Sequence, residues 1–131
     1  VYAIEVQKEI LERLKNDLSH EGITNVECIW ANIEKIGGTK LADSAVDAVV
    51  VSNVLFQIED KGTFIKEIKR ILRPGGRILL IDWSGSFGGL GPTGESVVTK
   101  DAGQALFERE GFKFEKEIEA GANHWGISII K

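Results

Sequence analysis

The sequence contains no methionine, one cysteine (Cys28), two prolines, one tyrosine and two histidines among 131 residues. A single thiol cannot close an internal disulfide, so a reducing cytoplasm is the expected compartment. No apolar run reaches the roughly 18 residues of a membrane span, and no charged-then-apolar signal peptide opens the chain. Basic residues are the minority, 16 against 20 acidic ones, for a net charge of −4. A general electrostatic footprint for nucleic acid is therefore missing. Methionine is absent even from position 1, where the chain opens on the strand-like Val1-Tyr2-Ala3-Ile4; a remainder of a longer protein is expected. What is present is 43% hydrophobic and 27% charged. That composition suits one domain with a real core over residues 1–131 and excludes collagen, disorder and coiled coil.

Apolar periodicity then orders the chain. Val1–Val6 reads as a buried strand. Ile10, Leu11, Leu14 and Leu18 recur at helical spacing, and Gly22 stops that helix. Val26–Ala31 is a second strand, followed by a polar, glycine-containing stretch to Ser44. Val46–Ser52 is β-branched and apolar, which fits a strand covered by helices on both sides. Asp60 caps a helix bearing Phe64, Ile65, Ile68, Ile71 and Leu72. Arg73-Pro74-Gly75-Gly76 breaks it, and Arg77–Trp83 forms the next strand. Thr99 caps a further helix whose inner face is expected at Ala102, Ala105 and Leu106. Phe112–Glu119 and Trp125–Ile130 are joined so closely that they must be antiparallel neighbours. The alternation predicts an α/β fold: a Rossmann-like, mostly parallel sheet with helices on both faces and a C-terminal antiparallel hairpin.

That order, with an acid ending the first strand, resembles the class I S-adenosylmethionine-dependent methyltransferases. Val1-Tyr2-Ala3-Ile4-Glu5-Val6 looks like the family's second strand, and Trp30-Ala31-Asn32-Ile33-Glu34 like the segment after its third. Ala45–Leu55 looks like the fourth strand and following loop. Ile71-Leu72-Arg73-Pro74-Gly75-Gly76-Arg77-Ile78-Leu79-Leu80-Ile81-Asp82 resembles the turn and fifth strand. The terminal hairpin is similar to the sixth and seventh strands. The family's first strand and glycine-rich turn would lie upstream of Val1, so the resemblance implies an N-terminally truncated domain. In the family's sheet order, 3-2-1-4-5-7-6, the missing strand is central. Its loss leaves a slot about 10 Å wide between two unpaired edges, twice the strand spacing.

The resemblance assigns cofactor roles to six residues, each with an ordinary alternative. Glu5 would accept hydrogen bonds from both ribose hydroxyls, as a carboxylate at a strand's C-terminal end can; alternatively it is a solvent-facing acid opening the next helix. Val6 would lie against the adenine ring, or be an ordinary core or first-turn apolar residue. Asn32 would accept from the exocyclic amine and the Ile33 N–H donate to a ring nitrogen, although asparagine also favours turns. Ser52 and Asn53 would meet the positively charged end of the cofactor, or simply turn the chain after a strand.

Other motifs carry less. Gly89-Leu90-Gly91-Pro92-Thr93-Gly94 spells GxGxxG but follows no strand directly and opens no helix. It reads as a flexible loop or lid beside the substrate pocket. His20, His124 and Cys28 show no ligand spacing, so no metal is expected. Trp30, Trp83 and Trp125 read as core or rim aromatics, with Trp83 alternatively facing substrate. The implied activity is S-adenosylmethionine-dependent methyl transfer. The asparagine–proline–proline–aromatic motif of base methylation is absent, which favours a small-molecule acceptor over nucleic acid. The sulfonium donor is already activated, so alignment and water exclusion suffice, and no catalytic base is named. The alternatives are an NAD(P)-dependent oxidoreductase fragment and a non-catalytic scaffold of the same fold.

Overall fold

Alternating β-branched runs and helical periodicities build six strands and three helices in a computed structural model that describes residues 1–131. They are β1 (Tyr2–Glu5), α1 (Lys8–His20), β2 (Glu27–Trp30), β3 (Val46–Ser52), α2 (Lys61–Ile71), β4 (Leu72–Trp83), α3 (Lys100–Arg109), β5 (Lys113–Ile118) and β6 (His124–Ile130). The strands form two sheets. β1 and β2 pair in parallel, and a four-stranded sheet has the order β3-β4-β6-β5. β3 and β4 are parallel; β6 is antiparallel to both its neighbours, so it alone runs against the rest of its sheet. β1 and β3 share no ladder, and each ends its sheet with an unpaired edge.

The main core lies between the four-stranded sheet and α2 with α3. Ile78, Leu80, Ile127 and Ile129 from the sheet meet Phe64, Ile65, Ile68 and Phe107 from the helices. Asp60 caps α2 as expected, its Oδ1 accepting the Thr63 N–H at 2.9 Å. Thr99 caps α3 by accepting from the Ala102 N–H at 3.3 Å.

Four local expectations are corrected. Ile10 is 48% exposed, because α1 covers only a two-stranded ribbon and buries Leu11 alone. Leu72 belongs to β4 rather than to the helix before it. The pairing jumps from Val46–Leu72 to Ala48–Arg77, so the Pro-Gly-Gly segment bulges out of the ladder. The fully buried residues of α3 are Gly103 and Phe107; of the expected inner face, Leu106 packs half-buried against the core, Ala105 is half-buried and Ala102 is exposed. A Cβ at Gly103 would stand 2.7 Å from the Trp125 ring, and this close approach of α3 to β6 sets the rotation of the helix. Finally, Val50 on β3 is 67% exposed. β3 is an edge strand, and its outer face is not covered as its composition suggests.

Candidate cofactor site

Parallel strands deliver their C-terminal ends to a common side, the usual place for ligands in α/β sheets. Glu5 and Trp30 are register partners at the ends of β1 and β2, and the Ala31 N–H donates to the Glu5 carbonyl at 3.1 Å. This ladder places Glu5, Val6, Asn32 and Ile33 side by side. The Glu5 Oε1 accepts the Gln7 N–H at 2.8 Å, so one oxygen holds the start of α1 and the other makes no hydrogen bond within the chain. Val6 is 56% exposed, which removes the core alternative. Its carbonyl accepts from the Trp30 Nε1 at 2.9 Å, tying the ends of β1 and β2 together.

Asn32 makes the turn that its residue type favours: its Oδ1 accepts the Glu34 N–H at 2.8 Å. One lone pair of that oxygen is left for a second donor. The neighbouring Ile33 N–H donates to no group of the chain. Ser52 ends β3 opposite Ile81, and Asn53 follows with φ +56 in the left-handed region. The Asn53 N–H donates to the Ile81 carbonyl at 3.0 Å, while its Oδ1 is buried without a partner. A buried amide oxygen lacking a donor costs free energy unless something supplies one.

Asp82, at the end of β4, is 1% exposed. Burial pushes its carboxyl above the usual carboxylate range, against the opposing pull of nearby backbone N–H groups, of which that of Trp83 donates to Oδ1 at 2.8 Å. Its Oδ2 has no partner. Trp83 lies against His124 with ring centroids 4.3 Å apart and planes tilted by 39°, and Gly91 presses on its indole so closely that a Cβ would sit at 2.5 Å. The glycine-rich loop is thus packed over the end of β4, with α3 beginning only at Lys100. A depression of about 480 Å³ opens nearby, lined by Ser84, Thr99, Glu117 and His124 among others. None of the six expected cofactor residues lines it.

Sequence reading missed the device that shapes this region. Glu67 of α2 is 1% exposed and accepts from the Gly37 N–H at 2.7 Å, the Thr39 N–H at 3.1 Å and the Thr39 hydroxyl at 2.5 Å. Arg70 donates to it through Nε and Nη2 at 2.9 and 2.8 Å. The guanidinium, with the Thr39 and Gly37 donors behind it, holds the Glu67 carboxyl at about 2 despite burial. Glu34 makes a second anchor, its Oε2 accepting from the Glu59 and Asp60 N–H groups at 3.1 and 3.0 Å. The available signal was a charge on an apolar face: Glu67 lies three residues from both Phe64 and Arg70 on α2.

A profile of the family described as "Methyltransferase domain" matches residues 1–80. The chain belongs to this family. The methyltransferase domain is also 32% identical over 85 residues to a "Ubiquinone/menaquinone biosynthesis C-methyltransferase UbiE" of Haemophilus ducreyi, covering 64% of this chain and 32% of that protein. A relative of the same description from Cronobacter sakazakii is 28% identical over 133 aligned positions, covering 91% of this chain and 51% of the relative. The chain thus spans a third to a half of the length of these relatives. Among solved structures, a SAM dependent methyltransferase from Aquifex aeolicus matches with a TM-score of 0.88 and 26% identity, covering 99% of this chain and 68% of that one. A putative type 11 methyltransferase from Sulfolobus solfataricus gives 0.77 and 25%, covering 98% and 68%. The [4+2]-cyclase SpnF, at 14% identity and TM-score 0.83, shares the fold alone. The first match takes in nearly the whole methyltransferase domain, so both of its sheets superpose on one fold together.

Proposed function

We propose that this chain is the cofactor-handling part of an S-adenosylmethionine-dependent methyltransferase acting on a small-molecule acceptor. One observation carries the reading. The ends of β1, β2 and β3 present a free carboxylate oxygen at Glu5, a free N–H at Ile33 and an unpaired buried amide oxygen at Asn53. Acceptor, donor and acceptor are what ribose hydroxyls, an adenine nitrogen and a cationic amino acid end require. In this reading Glu5 holds the ribose, Val6 lies along the base, Asn32 and Ile33 meet its edge, and Ser52 and Asn53 take the charged end. The cofactor supplies an activated methyl group on sulfur. The chain's residues align it and exclude water, and no side chain is assigned as catalytic base.

We further propose residues 1–131 as a methyltransferase-like domain from its second strand onwards. The two unpaired edges at β1 and β3 support this, since one added parallel strand would satisfy both. A cytoplasmic location accords with the lone, unpaired Cys28. The chain spans only a third to a half of these relatives, so their acceptors are not carried over to it. The glycine-rich loop gives an oxidoreductase reading no support, lacking the strand before it and the helix within it.

The test is calorimetric titration of the full-length protein with S-adenosylhomocysteine, NAD and NADP. Binding of the first alone is expected. Failure to bind it removes the methyltransferase reading in favour of a scaffold, and binding of a nicotinamide cofactor redirects it. Glu5→Ala should weaken S-adenosylhomocysteine by about 1.5–3 kcal/mol, the worth of hydrogen bonds to a charged group. Unchanged affinity removes Glu5 from the site.

A further inference from the structure

The stretch between β2 and β3 runs from Ala31 to Ala45 with no helix or strand of its own. A loop of this length has no ladder to hold it, so its position must come from side-chain anchors. Most of the anchors lie along α2, and one ties the loop to β2, where the Lys40 Nζ donates to the Trp30 carbonyl at 2.7 Å. Glu67 holds Gly37 and Thr39, Arg70 donates to the Leu41 carbonyl at 2.8 Å and to Asp43 at 2.6 Å, and the Ser44 N–H donates to the Arg70 carbonyl at 2.9 Å.

Between the two backbone groups that Glu67 grips lies Gly38. A Cβ there would stand 2.0 Å from the Asn32 carbonyl oxygen and 2.7 Å from that of Lys35. The loop therefore folds back so that the gripped segment rests directly against Asn32. A displacement of Gly37–Thr39 is passed to Asn32 by contact, and Asn32 carries Ile33 with it. Glu34, by contrast, fastens the far side of this turn to the start of α2.

We propose that Glu67 is a positioning residue for base recognition: through Gly37, Gly38 and Thr39 it sets where Asn32 and Ile33 stand, and so the preference for an aminopurine over an oxopurine in the cofactor. This rests on the methyltransferase reading above. Glu67 touches no ligand itself. An adenine presents an exocyclic amine to the free lone pair of Asn32 and a ring nitrogen acceptor to the Ile33 N–H; a hypoxanthine presents a carbonyl and a ring N–H, reversing both polarities. Discrimination of this kind depends on placement to a fraction of an ångström, because mispaired polar groups are what reject the wrong base.

The test compares S-adenosylhomocysteine with S-inosylhomocysteine in the full-length protein, by calorimetry, for wild type, Glu67→Gln and Gly38→Ala. Gly38→Ala leaves the Glu67 cluster chemically intact and pushes on the Asn32 carbonyl, so it serves even if the first variant fails to fold. Gly103→Ala, strained in the distant α3 layer, controls for stability loss alone. Wild type should prefer the adenine compound by about tenfold or more, the scale of one mispaired polar contact. Both loop variants should lose most of that preference, and the control should keep it. Loop variants that retain the wild-type preference overturn the proposal, as does a wild type that binds both compounds equally. A wild type that binds neither removes the methyltransferase reading, a failure distinct from the other two.

Discussion

Glu67→Ala takes one carboxylate from a cluster of five hydrogen bonds, donated by Gly37, Thr39 (twice) and Arg70 (twice). Removing one member of a buried ion pair costs about 3–5 kcal/mol, chiefly because the groups left behind have lost both water and partner. Here Arg70 keeps Asp43 and the Leu41 carbonyl and is 21% exposed, so it is not stranded. The penalty falls on the Gly37 and Thr39 donors, which places the expected loss near the lower end, about 3 kcal/mol. In urea, with a slope of about 1.5–2 kcal/mol per molar, the unfolding midpoint should fall by about 1.5–2 M. The pH dependence gives a second, sharper reading. The folded-state carboxyl is held at about 2 against an ordinary value of 4.5. A depressed carboxyl contributes stability that is full above its unfolded value and is lost as pH falls through its folded one. The gap between wild type and Glu67→Ala should therefore be constant above about pH 5 and close progressively between about pH 4.5 and 2. Contributions from the other carboxylates are common to both proteins and cancel in the difference. A loss below about 1 kcal/mol at pH 7, or a gap that persists unchanged to pH 2.5, would refute the clamp as the holder of this loop.

Two further outcomes test the packing. Gly103→Ala brings a Cβ to 2.7 Å from the buried Trp125 ring, whose Nε1 donates to the Val98 carbonyl at 2.9 Å. Overpacking of about 1–3 kcal/mol, less the roughly 1 kcal/mol that alanine gains in a helix, should lower the melting temperature; a raised one would show that α3 can retreat. Asp82 has its carboxyl raised by burial, so its ionisation opposes folding, and the protein loses that contribution as pH rises through the raised value. Asp82→Asn should accordingly be at least as stable as wild type at pH 7 and gain less on acidification to pH 4, by thermal melts at both. A marked loss at pH 7 would show that the ionised form is compensated.

Sequence pattern determines most of the architecture, since it is written in local burial. Val46–Ser52 is a strand with the bounds its β-branched run implies, and Phe64, Ile65, Ile68 and Ile71 face the core at their helical spacing. The six expected site residues fall at strand ends for the same reason: alternating elements fix where each strand stops. Periodicity errs where the neighbour decides, as at Ile10, which faces no third strand, and at Gly103, where Trp125 rather than alanine spacing sets the helix face. The Glu67–Thr39 contact, 28 residues apart in sequence, and the Trp30–Val6 bond, 24 apart, leave no periodic trace. Their partners meet only after the chain has packed. The chain alone thus determined that an acid, an asparagine and a free N–H would gather at the strand ends. Tertiary packing decided how the connecting loop is held there, because a loop without a ladder takes its position from whatever buried groups can satisfy it.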